Sequence, residues 1–228
     1  MKRKRIFFSE AAYLLGLLTL ALGTALMERA DFGMSMVVAP AYVLYRWLSG
    51  HWSFVTFGMA EYLLQAVLLV LLTAALRRWK RAYLLSFVTA VLYGFTLDGC
   101  MALVGLVPGS GLALRIVFYL LGLAVCALGV CLLFHTYLPP EAYELVVKEL
   151  SARFGWEIHR VKTAYDCVSC LLAVVLSFAV FGFGRFEGVK WGTVLCALIN
   201  GWLISLAARL LERRFTFQPR FKAGRAEP

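Results

Sequence analysis

Residues Glu28–Pro40, with the sequence ERADFGMSMVVAP, interrupt the apolar N-terminal part of the chain. The segment holds acids, a glycine, a serine and a proline between almost uniformly hydrophobic neighbours, so it cannot be a plain continuation of the preceding helix. Gly33 can adopt a positive φ, and Pro40 lacks an N–H and is best tolerated where a helix begins. The pattern predicts a shaped connector that turns and then forms a short helix over about Ala39–Leu48.

The composition around this connector is that of a membrane protein. Hydrophobic residues make up 62% of the 228 positions and charged residues 16%, whereas a soluble domain is roughly 45–50% apolar. We therefore expect an all-α integral membrane protein that forms a single transmembrane domain over residues 1–228. Apolar runs near the roughly 20 residues that cross a bilayer predict six spans: Ala11–Met27, Gly58–Leu76, Ala82–Leu106, Ile116–Tyr137, Thr163–Phe183 and Trp191–Leu210.

The first span has features of a signal peptide. Met1–Arg5 is a basic segment, and Gly23–Ala25 resembles a weak cleavage site. We expect this span to be retained, because the fourth span repeats its sequence.

Basic residues predict the orientation of the bundle. Most of the 23 Lys and Arg residues fall in four segments on one side of the predicted membrane: Lys2–Arg5, Arg77–Arg81, Lys148–Lys162 and Arg209–Arg225. The positive-inside rule then places both termini in the cytoplasm of a bacterial inner-membrane protein. The basic tail over residues 213–228 suits anionic lipid headgroups, so nucleic acid is not expected as a partner.

The chain also resembles itself at a constant offset. Leu14–Leu17 (LLGL) recurs as Leu120–Leu123, and Ala21–Gly23 (ALG) recurs as Ala127–Gly129, each 106 residues later. This predicts two three-helix halves, residues 1–106 and 107–212. Because three is an odd number of spans, the second half would cross the membrane upside down, as an inverted repeat.

Each predicted half contains a connector after its first span. The outer connector, Glu28–Phe57, is apolar enough to re-enter the membrane. The inner one contains Pro139–Leu150, which predicts an amphipathic interfacial helix that starts at the prolines and turns Val146, Val147 and Leu150 toward the lipid. The acid-flanked A-x-x-G-x-S pattern of residues 30–35, followed by a short amphipathic helix, resembles the YitT/YczE family of uncharacterised bacterial membrane proteins. The resemblance covers most of the chain in helix order and implies no activity.

Glycines recur seven residues apart in the first and fourth spans, at Gly16 and Gly23 and at Gly122 and Gly129. Small residues let membrane helices approach closely. They predict a packing seam between the two halves.

Polar residues inside the spans are the candidate functional residues, since an ionisable group in hydrocarbon is costly. Asp98 is interpreted either as a proton-binding group or as a partner of backbone groups at an unwound helix end. Glu61 and Gln65 lie one turn apart in the second span. Asp166 and Ser169 form a similar face in the fifth span and would be the symmetry counterparts, unless these acids are merely solvated.

Tyr93 and Asn200 occupy equivalent places near the middle of the third and sixth spans. They could line a common polar cavity or serve as hydrogen-bonding contacts between helices, and the sequence leaves both readings open. Asp31 and Ser35, in the outer connector, complete the set of candidate solute contacts.

Cysteines and histidines give weaker signals. All six cysteines fall in predicted spans, and Cys167 and Cys170 have the C-x-x-C spacing of a redox pair. His51, His135 and His159 show no metal-ligand spacing, so neither a metal nor another cofactor is predicted.

Three function classes remain. The first is a small-solute transporter, which a titratable acid such as Asp98 would couple to protons. The second is a substrate-capture membrane subunit of a larger transport complex. The third is a thiol-redox membrane protein that uses Cys167 and Cys170. An intramembrane enzyme is disfavoured because the sequence contains no phosphate-binding loop, nucleophile elbow or catalytic carboxylate pair. The lipid bilayer and an unidentified solute are the expected partners, and a homo-oligomer is left open.

Overall fold

The order of the helices follows the predicted spans. A computed structural model describes residues 5–109 and 111–220. Six of its helices, α1, α3, α4, α5, α7 and α8, are long and apolar enough to cross a bilayer, which confirms an all-α multi-pass membrane protein. The elements are β1 (Arg5–Phe8), α1 (Ser9–Ala30), α2 (Ala39–Ser49), α3 (Phe57–Leu76), α4 (Arg81–Gly105), α5 (Leu112–Phe134), α6 (Ala142–Phe154), α7 (Ile158–Phe181), α8 (Trp191–Arg214) and β2 (Phe215–Gln218).

The first connector has the predicted turn and short helix. Asp31 ends α1 in the left-handed conformation with a φ of 54°, and its N–H donates to the carbonyl oxygens of Met27 and Glu28. Gly33 follows with a φ of 109°. Helix α2 then begins at Ala39. Because the left-handed residue satisfies carbonyls that the helix end would leave free, α1 stops within one residue.

A seam between α1 and α5 forms the centre of the bundle. The two helices are antiparallel, and a Cβ atom added to Gly23 would lie 2.6 Å from the backbone nitrogen of Cys126. A Cβ atom on Gly129 would lie 2.6 Å from the backbone nitrogen of Leu20. Two backbones can come this close only where a side chain is missing. The predicted glycine seam is confirmed.

The remaining helices pack around this seam. Helix α4 lies against α1 and α3, while α8 lies against α5. The short helix α2 packs on α3 and α7, and the short helix α6 packs on α3, α4 and α7. Large apolar side chains such as Trp191, Leu198 and Trp202 point away from the protein on α8. Those surfaces are the ones that contact the bilayer.

The two ends of the described chain meet in a parallel strand pair that the sequence did not predict. Arg5 lies opposite Phe215, and Phe8 lies opposite Gln218. The two strands mark one face of the bundle, here named the terminal face, and the opposite side is named the distal face. Residues 1–4 and 221–228, which include much of the predicted basic tail, lie outside the described ranges.

The seam predicts a clear difference between glycines. Gly23→Ala and Gly129→Ala should each destabilise the protein by about 1–3 kcal/mol, because the added methyl group overpacks against backbone atoms that cannot move independently. Gly201→Ala is the matched control, since no atom lies within 4 Å of a Cβ at this position of α8. Thermal unfolding in detergent measures the effect. Equal midpoints for Gly23→Ala and Gly201→Ala would contradict the seam.

Candidate functional site

The connector between α5 and α6 enters the bundle instead of lying on its surface. The backbone N–H of Ala142 donates to the Gln65 side-chain oxygen at 3.0 Å, and Gln65 lies near the middle of the 20-residue helix α3. The carbonyl oxygen of Pro140 accepts from Ser86 at 2.7 Å, and that of Pro139 accepts from Thr89 at 3.2 Å. Helix α6 therefore begins at mid-depth in the protein.

From this point α6 runs back to the terminal face. Near its end, Glu149 pairs with Lys80, just before α4, at 2.6 Å. Val146 and Val147 are buried and not exposed to lipid, in a helix that packs against α3, α4 and α7. The prediction of a lipid-facing interfacial helix starting at the prolines is wrong, because the apolar face of α6 is covered by protein.

The sequence of the connector suits this buried path. Pro139 and Pro140 have no N–H group, so two donors that would need partners inside the protein are absent. Their carbonyl groups are satisfied by the hydroxyl groups of α4. The Thr89 hydroxyl is also hydrogen-bonded to the Tyr13 hydroxyl of α1 at 2.8 Å, which connects the connector to the central seam.

Two buried carboxyl groups meet at the start of α6. Glu61 is completely buried and Glu141 is 7% exposed. The Gln65 side-chain nitrogen lies 3.5 Å from Glu61 Oε2 and 3.4 Å from Glu141 Oε2, while the Tyr143 hydroxyl donates to Glu61 Oε2 at 2.8 Å. The Oε1 atom of each glutamate is buried without a hydrogen-bond partner. This arrangement is named the carboxyl pair.

The carboxyl pair cannot hold two uncompensated negative charges in this environment, since a buried carboxylate is costly unless it is paired. Glu141 lies outside the six spanning helices. Burial raises its pKa above the ordinary value, and the nearby carboxyl groups of Glu61 and Glu144 raise that pKa as well. Lys162 acts in the opposite direction. The pair is therefore a place where a proton or another cation is needed.

Charged side chains lie between the carboxyl pair and the terminal face. Lys162 Nζ lies 3.0 Å from Glu144 Oε1 and 3.1 Å from Asp166 Oδ1. Glu144 is one turn beyond Glu141 on α6. Together Glu61, Glu141, Glu144, Lys162 and Asp166 form what is named the inner acidic cluster, in which four carboxyl groups accompany a single base.

The structure brings together some of the predicted candidates. Glu61 forms the carboxyl pair with Glu141, and the Gln65 amide contacts both glutamates. Asp166 joins the inner acidic cluster. Ser169 is buried one turn farther along α7. Tyr93 is buried as well, and its hydroxyl is 3.0 Å from the Thr24 hydroxyl of α1.

Asn200 and Tyr93 lie on helices that have different main neighbours. Helix α4, which carries Tyr93, packs on α1 and α3, whereas α8, which carries Asn200, packs on α5. The Asn200 Oδ1 atom is buried without a hydrogen-bond partner. A common polar cavity lined by Tyr93 and Asn200 stays a prediction.

Asp31 and Ser35 lie at the distal face, away from the carboxyl pair. Asp31 pairs with Lys190 at 2.5 Å and with Arg115 at 3.2 Å. The Ser35 carbonyl accepts from the backbone nitrogens that precede and begin α2. Both residues shape the first connector.

Asp98 caps the neighbouring helix. Its Oδ1 accepts from the Gly58 backbone nitrogen at 2.8 Å, and its Oδ2 accepts from the Thr56 hydroxyl at 2.6 Å. Helix α4 continues unbroken through Asp98 to Gly105, so the predicted unwound end is absent. A carboxylate at the first turn of α3 satisfies donors that the helix leaves free.

The cysteine and histidine residues are dispersed. Cys167 and Cys170 are free thiols on the continuous helix α7, and Cys167 is exposed on the outside of the protein. His135 interacts with Glu212 at 3.1 Å, and the side chain of His159 is outside the described part. In the described part of the chain, no group of three His, Cys, Asp or Glu side chains could hold a metal ion.

Sequence reasoning missed Glu141, Tyr143 and Lys162. Glu141 follows the two prolines, where an acid also suits the N-terminal dipole of an exposed helix, so the sequence does not mark it as a site residue. The available signal was the largely apolar segment Ala142–Val147, in which Glu144 is the one charged residue.

Comparison with known proteins gives a family without a function. A family model matches residues 7–209, and its description states that the function of the family is unknown. No curated protein matches the chain, and no solved structure matches it. The matching description does not include the YitT/YczE name, so that resemblance stays a prediction.

The capping role of Asp98 predicts a loss of stability. Asp98→Ala leaves the Gly58 N–H and the Thr56 hydroxyl without an acceptor, and each buried unsatisfied group costs about 1–3 kcal/mol. Asp98→Asn keeps one acceptor and should lose less. Thermal unfolding of both variants tests the order, with Glu157→Gln as a control at an acid whose side chain is 71% exposed. If Asp98→Ala unfolds at the wild-type temperature, the cap does not stabilise α3.

Proposed function

The chain belongs to DUF6198, a family of unknown function, and we propose that it is a membrane carrier that moves a small solute in exchange for protons. The observation that carries the proposal is the carboxyl pair, Glu61 and Glu141, which is buried inside a multi-pass membrane protein and has an unpartnered oxygen on each side chain. Ionisable groups at membrane depth are costly and typically serve solute or proton movement.

The start of α6 supports the same proposal. Carriers commonly place binding sites where a helix begins inside the membrane, because the positive end of its dipole favours a negative group there, which in this chain is the carboxyl group of Glu141. Ala142, the first residue of α6, donates to Gln65 from inside the bundle. A small movement of α6 would change what the carboxyl pair contacts.

Polar and apolar groups are distributed unequally around the pair. Toward the terminal face, Glu144, Lys162 and Asp166 provide charged groups. Toward the distal face, Phe57 packs between Tyr42 and Tyr45, with ring centroids 5.4 Å and 5.5 Å apart. We interpret this as a site that is closed by aromatic side chains on the distal side and accessible to protons from the terminal side.

We further propose that the two halves, residues 1–106 and 107–212, are inverted repeats that rock against each other. The support is the exchange of contacts between halves: α2 packs on α7, and α6 packs on α3. The glycine seam of α1 and α5 would be the axis of that movement, which is how inverted-repeat carriers expose one site alternately to each side.

The carrier function predicts a loss of proton exchange in two variants. The purified protein is placed in vesicles that contain a trapped pH dye, and gradients of guanidinium chloride, tetramethylammonium chloride, sodium gluconate and sorbitol are applied in turn. At least one solute should change the lumenal pH in wild-type vesicles. Glu61→Gln and Glu141→Gln should reduce that change to the level of protein-free vesicles, because an amide cannot exchange a proton.

Glu149→Gln is the matched control, since Glu149 pairs with Lys80 at the terminal face. It should retain the signal. If every solute fails to move protons, or if Glu61→Gln keeps the full signal, the proposal is contradicted. A protein that binds a solute without moving it would instead fit the alternative of a substrate-capture subunit.

Orientation gives a separate prediction. Because Lys and Arg concentrate on the terminal face, we propose that this face is cytoplasmic. In a background without the six native cysteines, a membrane-impermeant maleimide should label Phe54→Cys on intact spheroplasts and Arg153→Cys only after lysis. Both side chains are exposed, on the distal and terminal faces respectively. Labelling of Arg153→Cys on intact spheroplasts would reverse the orientation.

A further inference from the structure

The solute class can be narrowed from the charges and hydrogen-bonding groups of the carboxyl pair. We propose that the pair binds a small cation with N–H donors, of the guanidinium, amidinium or primary ammonium class, and releases a proton when that cation binds. This inference rests on the proposed carrier function for its role in the cell, but the binding step is independent of transport.

The first argument is charge. The inner acidic cluster contains four carboxyl groups and one base, and Lys162 is already engaged by Glu144 and Asp166. Glu61 and Glu141 therefore have no cationic side chain among their hydrogen-bond partners in the described residues. An anionic solute would increase the repulsion, whereas a cation would supply the missing charge.

The second argument is the type of donor. In the described residues the pair accepts hydrogen bonds from the Gln65 amide, which contacts both glutamates, and from the Tyr143 hydroxyl, which contacts Glu61. The amide contacts, at 3.5 Å and 3.4 Å, are at the long end for a hydrogen bond. Two Oε1 acceptors are still unused. A cation with several N–H groups can donate to both acceptors at once.

The third argument concerns the aromatic side chains beside the pair. Tyr143 donates to Glu61 and lies next to the Tyr165 ring, with centroids 6.5 Å apart. Lys162 Nζ lies 6.0 Å from the Tyr165 ring centroid, so this wall already faces an ammonium group. Aromatic faces attract nitrogen cations more strongly when water is excluded. The close packing of the pair favours a cation of few atoms.

Several other titratable groups face the pair and are part of its proton balance. From α6 and α7 these are Glu144 and Lys162, which interact with Glu141. From α1, α4 and α5 they are Tyr13, Tyr93 and Cys126, each of which interacts electrostatically with Glu141. Lys162 is the only base among these groups, and it is bonded to other carboxylates. A proton on Glu61 or Glu141 is therefore the charge that an entering cation displaces.

The step is an exchange in which charge and atoms balance. Before binding, one carboxyl of the pair is neutral and holds a proton. The cation enters, the O–H bond of that carboxyl breaks, and the proton leaves to water by way of the terminal side. The new carboxylate pairs with the cation, so the complex has the same net charge as the free protein and the released proton carries the one positive charge that the cation brought.

The test measures proton release from the purified protein in detergent, in a weakly buffered solution that contains a pH indicator. Guanidinium chloride at millimolar concentration should release about one proton per chain, because one carboxyl ionises for each cation bound. Its apparent Kd should fall about tenfold for each unit of rising pH as long as that carboxyl stays protonated. Sodium chloride and tetramethylammonium chloride, which lack N–H donors, should release far less.

Variants locate the release. Glu61→Gln or Glu141→Gln should abolish it, whereas Glu149→Gln should keep it, and Tyr143→Phe should weaken guanidinium binding but keep the release. If the Gln variants do not fold, proton release by guanidinium, sodium and tetramethylammonium in the wild-type protein still tests whether the ligand needs N–H donors. Equal proton release by sodium would contradict the proposal that the ligand is a cation with N–H donors, and it would indicate an inorganic cation.

The binding inference and the carrier proposal can fail separately. If guanidinium releases no proton while gluconate or sorbitol drives a pH change in vesicles, the inference is wrong and the carrier proposal stands. If guanidinium releases a proton that depends on Glu61 and Glu141 but no solute moves in vesicles, the inference stands and the carrier proposal is wrong.

Discussion

The close contact of α1 and α5 is the constraint on which the other helices depend. In a bilayer no hydrophobic effect distinguishes a partner helix from lipid, so association relies on close packing and on hydrogen bonds between helices. The glycines at Gly23 and Gly122 let the two backbones touch directly. Once this pair is fixed, α4 and α8 pack on its two members, and α3 is positioned through α4.

The buried connector before α6 is the second constraint. Irregular backbone at membrane depth is tolerated only where protein groups satisfy it. Pro139 and Pro140 remove donors, Ser86 and Thr89 supply donors to the two carbonyls, and Gln65 accepts the first N–H of α6. The same Gln65 amide contacts both carboxyl groups. The Gln65 side chain thus both satisfies the buried backbone and forms part of the candidate site.

Much of the fold follows from the sequence, and the exceptions have physical causes. The six spans, the helix that begins at Ala39 and the glycine seam are local patterns of hydrophobicity and residue size. The location of α6 is not local, because an apolar face that includes Val146 suits lipid and protein interior equally well. Glu141 meets Gln65 across 76 residues, and Asp98 caps α3 only because two helices are adjacent. Neither contact has a signature in either segment alone.

The parallel strand pair has a consequence for how the chain is made. Arg5–Phe8 is synthesised before helices α1 to α8, and its partner Phe215–Gln218 is synthesised after all of them. The strands cannot pair until the helices between them have been inserted and both strands have reached one side. Pairing of β1 with β2 therefore follows insertion of the helices, and it joins the two segments that flank the bundle only when the bundle is complete.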